Sequence, residues 1–384
     1  MIPATFDDYR LLARARLPGI LFNYIDGGAF GEETMRRNVE DLRRLSLRQR
    51  VLRDVSQVTL SCSLFGDAIG MPVVLGPVGL AGMYARRGEV QAAHAAEKAG
   101  IPFCLSSVGV CPIREVAEQS RRPIWFQLYM LRDRGFMAQL LATARDSGCS
   151  VLVFTVDLPA PAVRYREVRS GMVGRATLGN RARTALNAAS HPGWLWDVFI
   201  RGRPHTLGNI AVDGSGAWSL QEFWDWVRRN LDPSVTWDDL AWVRRQWPGP
   251  IVLKGVLDVE DVREAVRIGV DGVVVSNHGG RQLDSALSSI SVLPRIVAEV
   301  GNQLPILVDG GIRSGLDVVK ALALGAKACL LGRAWAFPLA AGGQRYVTHM
   351  LDALRQEINT ALMLTGCVDV KAAGQHMLAS ERST

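Results

Sequence analysis

The sequence lacks the features that mark membrane-spanning, exported and disulfide-stabilised proteins. No apolar run reaches the ~20 residues that a membrane-spanning helix requires. The first residues contain no basic region followed by an apolar stretch, so we expect no signal peptide. The six cysteines include no CxxC pair, which predicts reduced thiols in a cytosolic protein rather than a disulfide framework or a metal site.

A strong charge of one sign and a polar composition are also missing. The formal net charge is only +7, and 48% of the residues are hydrophobic. Such a chain can bury a sizeable core, which excludes disorder as its main description. The small positive excess favours anionic partners without naming one. A basic protein that binds nucleic acid or lipid without catalysis is one hypothesis, but the motifs below favour an enzyme with no nucleic-acid partner.

Eight short apolar segments, each followed by a helical pattern, predict strands that are buried on both faces, as in a parallel sheet. The segments are 72–76, 101–106, 124–129, 151–156, 251–254, 272–276, 306–309 and 329–332. Eight strands that alternate with helices over roughly 260 residues predict an α/β fold of the (β/α)8 TIM-barrel type. A doubly wound sheet is the competing architecture.

We interpret the chain, residues 1–384, as a single domain built around that barrel. Residues 1–70 form a helical N-terminal part in this interpretation, 71–333 the barrel, and 334–384 further helices that pack back on it. An insertion of about 160–235 follows the fourth strand, and it is far longer than an ordinary connection between a strand and a helix.

The insertion is rich in tryptophan and arginine. Tryptophan is favoured at membrane interfaces, and basic residues are attracted to an anionic leaflet. The insertion therefore predicts peripheral docking on the cytoplasmic face of a membrane, with a lid or a subunit contact as the alternative. The residues concerned are Trp194, Trp196, Trp218, Trp224, Trp226, Arg175, Arg181, Arg183, Arg201 and Arg203.

The most informative stretch runs from Ser276 to Asp284, directly after the apolar run Val273–Val275. A histidine such as His278 can take a proton near neutral pH. An arginine such as Arg281 can clamp a carboxylate through two parallel hydrogen bonds. A base beside an anion clamp suits the removal of a proton from a small hydroxy acid. The structural alternative is that His278 caps a helix and Arg281 pairs with Asp284.

Polar residues follow seven of the predicted strands, at the barrel edge where catalytic groups gather in this fold. They are Ser106 and Ser107, Gln127 and Tyr129, Thr155 and Asp157, Lys254, Ser276 and His278, Asp309, and Gly332 with Arg333. The turns 309–313 and 332–333 predict a phosphate site, because glycines let backbone N–H groups approach closely and a helix N-terminus adds positive charge. Tight glycine turns with surface arginines are the alternative.

Together these segments resemble the FMN-dependent 2-hydroxy acid dehydrogenases and oxidases, and the resemblance covers almost the whole chain. Its most specific part is the His-Gly-Gly-Arg motif, 278–281, which is the active-site signature of that family. Residues 82–89 and 191–194 are most similar to the bacterial membrane-associated lactate dehydrogenases within it. The other matching segments are Phe22–Ala29, Pro77–Gly79, Trp125–Tyr129, Thr155–Asp157 and Asp309–Arg313.

The resemblance implies a role for each polar residue near the substrate. His278 is the expected base, and Asp157 is expected to stabilise its imidazolium form. Lys254 is expected at the flavin N1/O2 edge, where it would stabilise the negative charge of reduction. Tyr129 is expected to contact the reacting oxygen. The residues implied in substrate binding are Tyr24, Tyr129, Arg164 and Arg281.

The resemblance also implies FMN as the cofactor and no metal. Gln127 and Thr155 are expected to bond the flavin pyrimidine ring. The residues expected to line the flavin are Pro77, Val78, Gly79, Ser106, Lys254 and Ser276. Those expected to bind the ribityl phosphate are Asp309, Gly310, Gly311, Arg313, Gly332 and Arg333.

The implied function is oxidation of an L-2-hydroxy acid, first of all L-lactate to pyruvate, with electrons passed to a quinone or another respiratory acceptor. The implied setting is the inner face of the cell membrane, and a homo-oligomer, foremost a tetramer, is expected. An oxygen-using oxidase and a mandelate-type dehydrogenase are the alternatives. Ala162 and Glu167 replace a glycine and an aspartate of the family pattern on either side of Arg164, so the substrate-binding loop is expected to differ. Gly310 replaces a serine, a change that should leave phosphate binding intact.

Overall fold

The computed structural model describes residues 2–173, 178–203, 205, 207–210 and 220–379. Two residues of the insertion singled out above, Arg175 and Trp218, lie outside this described part. The side chains of Arg181, Arg183 and Trp224 lie outside it as well.

The N-terminal part contains three helices and a short antiparallel hairpin. The elements are α1 (Phe6–Arg16), α2 (Gly19–Asp26), α3 (Glu33–Arg44), β1 (Cys62–Leu64) and β2 (Asp67–Ile69). The hairpin corrects the expectation that residues 1–70 are helical. Its strands have three residues each, too short for a recognisable alternation of polar and apolar residues. Phe65 and Gly66 make the turn, both with positive φ.

Eight parallel strands follow and form the barrel. They are β3 (Val73–Leu75), β4 (Cys104–Ser106), β5 (Trp125–Tyr129), β6 (Val151–Thr155), β7 (Ile251–Val256), β8 (Gly272–Val275), β9 (Ile306–Val308) and β10 (Ala328–Leu331). The order across the sheet is β3-β10-β9-β8-β7-β6-β5-β4. A parallel bridge between Leu75 and Phe103 joins β3 to the start of β4. This closure confirms the predicted (β/α)8 TIM barrel.

The strands form the barrel because their side chains are apolar on both faces. All five residues of β6 are buried, as expected for a parallel strand between an inner core and an outer ring of helices. The inner core includes Val74, Val153, Val274 and Leu330, and the hairpin residue Leu64 packs against it. The hairpin therefore closes the N-terminal end of the barrel and leaves the C-terminal end for the site.

Helices surround the barrel and fill the long connection between β6 and β7. In chain order they are α4 (Gly88–Ala99), α5 (Ile113–Gln119), α6 (Arg134–Asp146), α7 (Tyr165–Arg169), α8 (Leu178–Ala189), α9 (Pro192–Trp194), a π-helix (Leu195–Ile200), α10 (Leu220–Asn230), α11 (Trp237–Gln246), α12 (Val259–Ile268), α13 (Ser289–Val300), α14 (Gly315–Ala323) and α15 (Arg333–Thr365). A kink at Gly342–Gly343 interrupts α15. Across the described residues, no helix has both the length and the apolar character needed to cross a bilayer.

Candidate active site

A cavity opens at the C-terminal end of the barrel. The space within it, including its open mouth, is about 1470 Å³. The predicted site residues that line it are Tyr24, Pro77, Val78, Gly79, Tyr129, Thr155, Arg164, Lys254, His278, Arg281, Asp309, Gly310, Gly311, Arg313, Gly332 and Arg333.

Four further predicted residues lie directly behind this lining. Ser276 and Asp157 are hydrogen-bonded to lining residues, Lys254 and His278 respectively. Ser106 and Gln127 are hydrogen-bonded to each other at 3.0 Å. The barrel thus brings together residues that are as far apart in sequence as Tyr24 and Arg333.

His278 is held at the cavity by backbone geometry and by Asp157. The residue has φ +57, an unusual conformation for a non-glycine residue, and its backbone N–H donates to Ser276 Oγ at 3.0 Å. Its Nδ1 lies 2.9 Å from Asp157 Oδ1. A carboxylate can only accept, so Nδ1 carries the hydrogen and Nε2 is left as the proton acceptor. The Tyr129 ring stacks alongside at 6.3 Å.

The protonation states of this pair suit a base. Burial lowers the pKa of His278 below its ordinary value, although Asp157 opposes that shift. Burial acts to raise the pKa of Asp157, but His278 and Lys254 outweigh it and hold the pKa below the usual range. The imidazole is therefore neutral near physiological pH and is backed by a charged carboxylate.

Lys254 is buried within β7, two residues before the strand ends at Val256, so the strand is longer than the predicted 251–254. Its Nζ donates to Ser276 Oγ at 2.9 Å and lies 3.0 Å from Asp309 Oδ2. Burial alone would lower the pKa of Lys254, but the carboxylates of Asp309 and Asp157 raise it. Lys254 is therefore a fixed cation within the cavity.

The two predicted substrate arginines lie side by side. Arg164 Nε donates to the backbone carbonyl of Arg281 at 3.1 Å. Arg281 Nη1 donates to the carbonyls of Tyr24 and Gly27, and its guanidinium lies 4.8 Å from the centre of the Tyr24 ring. These contacts rule out the alternative in which Arg281 pairs with Asp284, which instead accepts from the backbone of Thr34.

Buried polar atoms near the barrel axis fit a flavin ring. Gln127 Nε2, Thr155 Oγ1 and Asp309 Oδ1 are buried and have no hydrogen-bond partner within the described part of the chain. Buried polar groups without partners are rare in folded proteins, so these three atoms are available to bond a ligand. The amide N–H of Gln127 can donate and the hydroxyl of Thr155 can donate or accept, which suits the alternating acceptors and donors of a flavin pyrimidine.

The glycine turns after β9 and β10 fit a phosphate, but glycine is needed at Gly332 and at Gly311 for different reasons. At Gly332, a Cβ would meet nothing within 4 Å, so the glycine leaves open space at the start of α15. At Gly311, where φ is +86, a Cβ would lie 2.1 Å from the Asn38 carbonyl oxygen. Gly311 is therefore required by close packing on α3, and Gly332 supplies the cradle.

Arg333 and Arg313 are partly buried beside this cradle and are not free surface arginines. Arg333 donates to the carbonyls of Ile25, Gly27 and Gly279. Burial lowers the pKa of Arg313 to about 10, which still leaves it charged. Arg333 at the start of α15 and Arg313 just before α14 fit the predicted phosphate site, because helix N-termini and cations both favour an anion.

Sequence reasoning missed three polar contributors to the site. Gln282 donates to the carbonyl of Asp157 at 2.8 Å and accepts from Arg164 at 3.4 Å. Tyr84 lines the cavity, and its hydroxyl donates to the Gly79 carbonyl at 2.7 Å. Glu167 appeared only as a departure from the family pattern, yet it contacts both substrate arginines. The role of Gln282 could have been predicted from the sequence, because the residue directly follows Arg281.

One wall of the cavity is apolar and was also missed. The barrel connections and the insertion contribute it jointly, and one-dimensional patterns do not reveal such a wall because its members come from separate elements. The residues are Leu131, Leu140, Leu158, Ile210, Trp226, Val227 and Leu231.

Comparison with known proteins gives consistent results. The sequence profile of the FMN-dependent dehydrogenase family matches residues 13–380. The chain is 57% identical over 367 residues to an L-lactate dehydrogenase of Xanthomonas campestris pv. campestris (strain 8004), covering 95% of this chain and 94% of that one. It is 55% identical over 379 residues to an L-lactate dehydrogenase of Caulobacter sp. (strain K31), covering 99% of both.

Solved structures agree on the fold. The crystal structure of the monotopic membrane protein (S)-mandelate dehydrogenase superposes with a TM-score of 0.92 at 35% identity, covering 99% of this chain and 100% of that one. A mandelate oxidase superposes with a TM-score of 0.83 at 37% identity over 98% of both chains. With the family profile matched over nearly the whole chain and the cavity suited to a flavin, the chain belongs to the FMN-dependent dehydrogenase family, and its cofactor is FMN.

Proposed function

We propose that the protein oxidises L-lactate to pyruvate and passes the electrons to a quinone or another respiratory acceptor. The observation that carries the proposal is the position of the His278–Asp157 pair beside Arg164 and Arg281 in one cavity. The identity of 55–57% to L-lactate dehydrogenases over nearly the full chain supports this substrate.

The side chains divide the work of the reaction. Arg164 and Arg281 bind the substrate carboxylate, and this fixes the α-carbon within the cavity. His278 Nε2 accepts a proton from the substrate, and Asp157 stabilises the resulting imidazolium. Tyr129, beside His278, contacts the substrate hydroxyl. When bound, FMN supplies the two-electron acceptor that the conversion of a hydroxy acid to a keto acid requires.

A larger substrate is the second candidate. Lactate carries only a methyl group on its α-carbon, whereas the apolar wall provides space for a longer or aromatic side chain. The similar folds include (S)-mandelate dehydrogenase and mandelate oxidase. The wall therefore favours a test of mandelate and of aliphatic 2-hydroxy acids longer than lactate.

The test is flavin bleaching in the absence of oxygen. The protein is expected to purify yellow and to bleach with L-lactate but not with D-lactate. Faster bleaching by L-mandelate at equal concentration would transfer the proposal to the second candidate. Rapid reoxidation by air rather than by a quinone analogue would indicate an oxidase. A preparation that is colourless and takes up no FMN contradicts the proposal.

We also propose that the insertion docks the protein on a membrane, in keeping with the monotopic (S)-mandelate dehydrogenase of the same fold. The support is an aromatic–basic surface on and after the π-helix, formed by Trp196, Phe199, Ile200, Arg201 and Arg203. The first three are exposed hydrophobic residues, and Trp196 is 59% exposed. The two arginines are exposed as well, and Arg203 lies 5.6 Å from the centre of the Phe199 ring.

Contacts beneath this surface fix its orientation. Trp194 is buried and donates its indole N–H to the Met83 carbonyl at 2.8 Å, so it anchors the segment and takes no part in membrane contact. Asp197 pairs with Arg16 at 3.0 Å. Trp226 lines the cavity instead of the outer surface. Of the tryptophans whose side chains are described, Trp196 remains the one suited to an interface.

The membrane role is tested with a double variant, Trp196→Ser with Phe199→Ser. Binding to vesicles that contain anionic lipid is expected to fall at least tenfold, while L-lactate still bleaches the flavin. The matched control is Val51→Ser with Leu52→Ser, two exposed hydrophobic residues outside the insertion. Equal loss in both variants, or no vesicle binding by the parent protein at low salt, contradicts the role.

A further inference from the structure

A buried carboxylate joins the two arginines of the substrate site. Glu167 is only 2% exposed. Its Oε1 accepts from Arg164 Nη1 at 3.0 Å and from Arg281 Nη2 at 3.4 Å. Two guanidinium cations and one carboxylate leave a single positive charge, and that charge is matched by a ligand with one carboxylate.

The other contacts of these arginines are with neutral groups. Arg281 binds two backbone carbonyls and the Tyr24 ring. Arg164 binds a backbone carbonyl and the amide oxygen of Gln282. Neutral acceptors orient a guanidinium without cancelling its charge. Among the described residues, Glu167 is the only charged group that forms a hydrogen bond or an ion pair with Arg164 or Arg281, so it sets their net charge.

Lys254, a further cation in the cavity lining, is already compensated. Lys254 lies 3.0 Å from an Asp309 oxygen. His278 is neutral, because its pKa is lowered by burial, and the negative charge of Asp157 lies behind it. A second carboxylate on the ligand would therefore meet negative charge in a partly buried cavity, where charges are weakly screened.

We infer that Glu167 holds the substrate site at one positive charge and so selects singly charged 2-hydroxy acids over doubly charged analogues. The inference rests on the proposed function, since it takes Arg164 and Arg281 as the carboxylate-binding pair. Glu167 acts through these arginines and is a positioning residue that determines specificity.

The experiment compares two ligands of nearly the same shape, oxamate with one negative charge and oxalate with two. Their dissociation constants for the FMN-loaded protein are measured at neutral pH by perturbation of the flavin absorbance. In Glu167→Gln, which keeps the size of the side chain and removes its charge, oxalate affinity is expected to rise at least tenfold relative to oxamate affinity. The same variant should gain sensitivity to inhibition by oxalate during L-lactate oxidation.

Two further variants make the comparison decisive. Glu33→Gln is the control, because it removes one negative charge from a residue that is half-exposed and pairs with Arg37; its affinity ratio should equal that of the parent protein. In Gln282→Glu, a negative charge is added at the side chain whose oxygen lies 3.4 Å from Arg164. The affinity for oxalate should then fall at least tenfold more than the affinity for oxamate. This second variant decides the question if Glu167→Gln does not fold or retain FMN.

The outcomes separate this inference from the proposed function. An unchanged ratio of the two affinities in Glu167→Gln, or an equal weakening of both ligands, overturns the role of Glu167. If Glu167→Gln does not fold or retain FMN, an unchanged ratio of oxalate to oxamate affinity in Gln282→Glu overturns the role of Glu167 instead. A parent protein that binds neither ligand and does not bleach with L-lactate overturns the proposed function itself.

Discussion

At the residue scale, the properties of His278 come from neighbours that are distant in sequence. Asp157, 121 residues earlier, fixes the tautomer through the bond to Nδ1. Burial makes the neutral form of the imidazole more stable than it is in water, and Asp157 partly reverses this effect. The motif around His278 predicts a base, but only these contacts determine its charge.

Replacement of His278 tests its role as the base. His278→Gln is expected to retain FMN, while flavin reduction by L-lactate slows at least ~10²-fold, because general-base contributions are of that size or larger. Stopped-flow absorbance in the absence of oxygen measures the rate. His376→Gln, at an exposed position, is the control and should keep the parent rate. Near-parental reduction in His278→Gln would show that another group removes the proton.

The pH dependence of kcat/KM tests the His278–Asp157 pair. Because the pKa of His278 is below its ordinary value of 6.5, kcat/KM should fall with decreasing pH only below about pH 6.5. Asp157 raises this pKa, so Asp157→Asn should shift the acid limb to still lower pH. The same variant should slow flavin reduction, since the imidazolium loses its stabilising partner. If the fall of kcat/KM in Asp157→Asn began at a higher pH than in the parent protein, the role of Asp157 would be contradicted.

At the element scale, the barrel brings the predicted cofactor-binding groups together at its C-terminal end, and the turns after β9 and β10 illustrate how. Both turns contain glycine, and their local motifs predict the same reason for each, close approach of a phosphate. The structure separates them: Gly311 allows α3 to pack against the turn, whereas Gly332 borders open space. The physical difference lies in a neighbouring element, which a local motif does not contain.

Alanine substitutions distinguish these two reasons. Gly311→Ala is expected to lower the melting temperature, because its Cβ collides with the Asn38 carbonyl and φ is +86; such strain costs more than ~1 kcal/mol. Gly332→Ala has space for its Cβ, so it should keep the melting temperature of the FMN-free protein while its FMN dissociation constant rises at least tenfold. Calorimetry and flavin fluorescence titration measure the two effects. Equal losses of stability would contradict the assignment.

At the scale of the whole molecule, the two ends of the barrel have separate tasks. The hairpin β1–β2 closes the N-terminal end, where Phe65 packs edge-on against Trp125 with ring centres 5.6 Å apart. The site occupies the C-terminal end, in keeping with the general behaviour of this fold. Stability and catalysis are therefore expected to respond to different substitutions.

A substitution in the hairpin tests this separation. Leu64 is buried, and Leu64→Ala is expected to lower the free energy of unfolding by about 2–5 kcal/mol, the usual cost of a cavity in a core. In the protein that remains folded, L-lactate should still reduce the flavin at the parental rate. Leu52→Ala is the control, since Leu52 is fully exposed at 101% and should change stability by less than ~0.5 kcal/mol. Denaturant titration followed by tryptophan fluorescence measures both.

The sequence by itself determined the barrel and identified the polar residues near its C-terminal end. Strands buried on both faces, such as Val151–Thr155, are apolar throughout and so are visible locally. The signature 278–281 was identified from residue type and position, and so were Lys254 and Asp309, which were expected at strand ends. These features are properties of short segments, and short segments are what a single sequence displays.

Only the tertiary structure decided how those residues act on one another. It placed Glu167 between Arg164 and Arg281 and buried Trp194 while leaving Trp196 exposed. These facts depend on contacts between elements that lie far apart along the chain. Burial, charge compensation and the shape of a cavity arise from such contacts, because each is set by every atom nearby in space, whatever its place in the sequence.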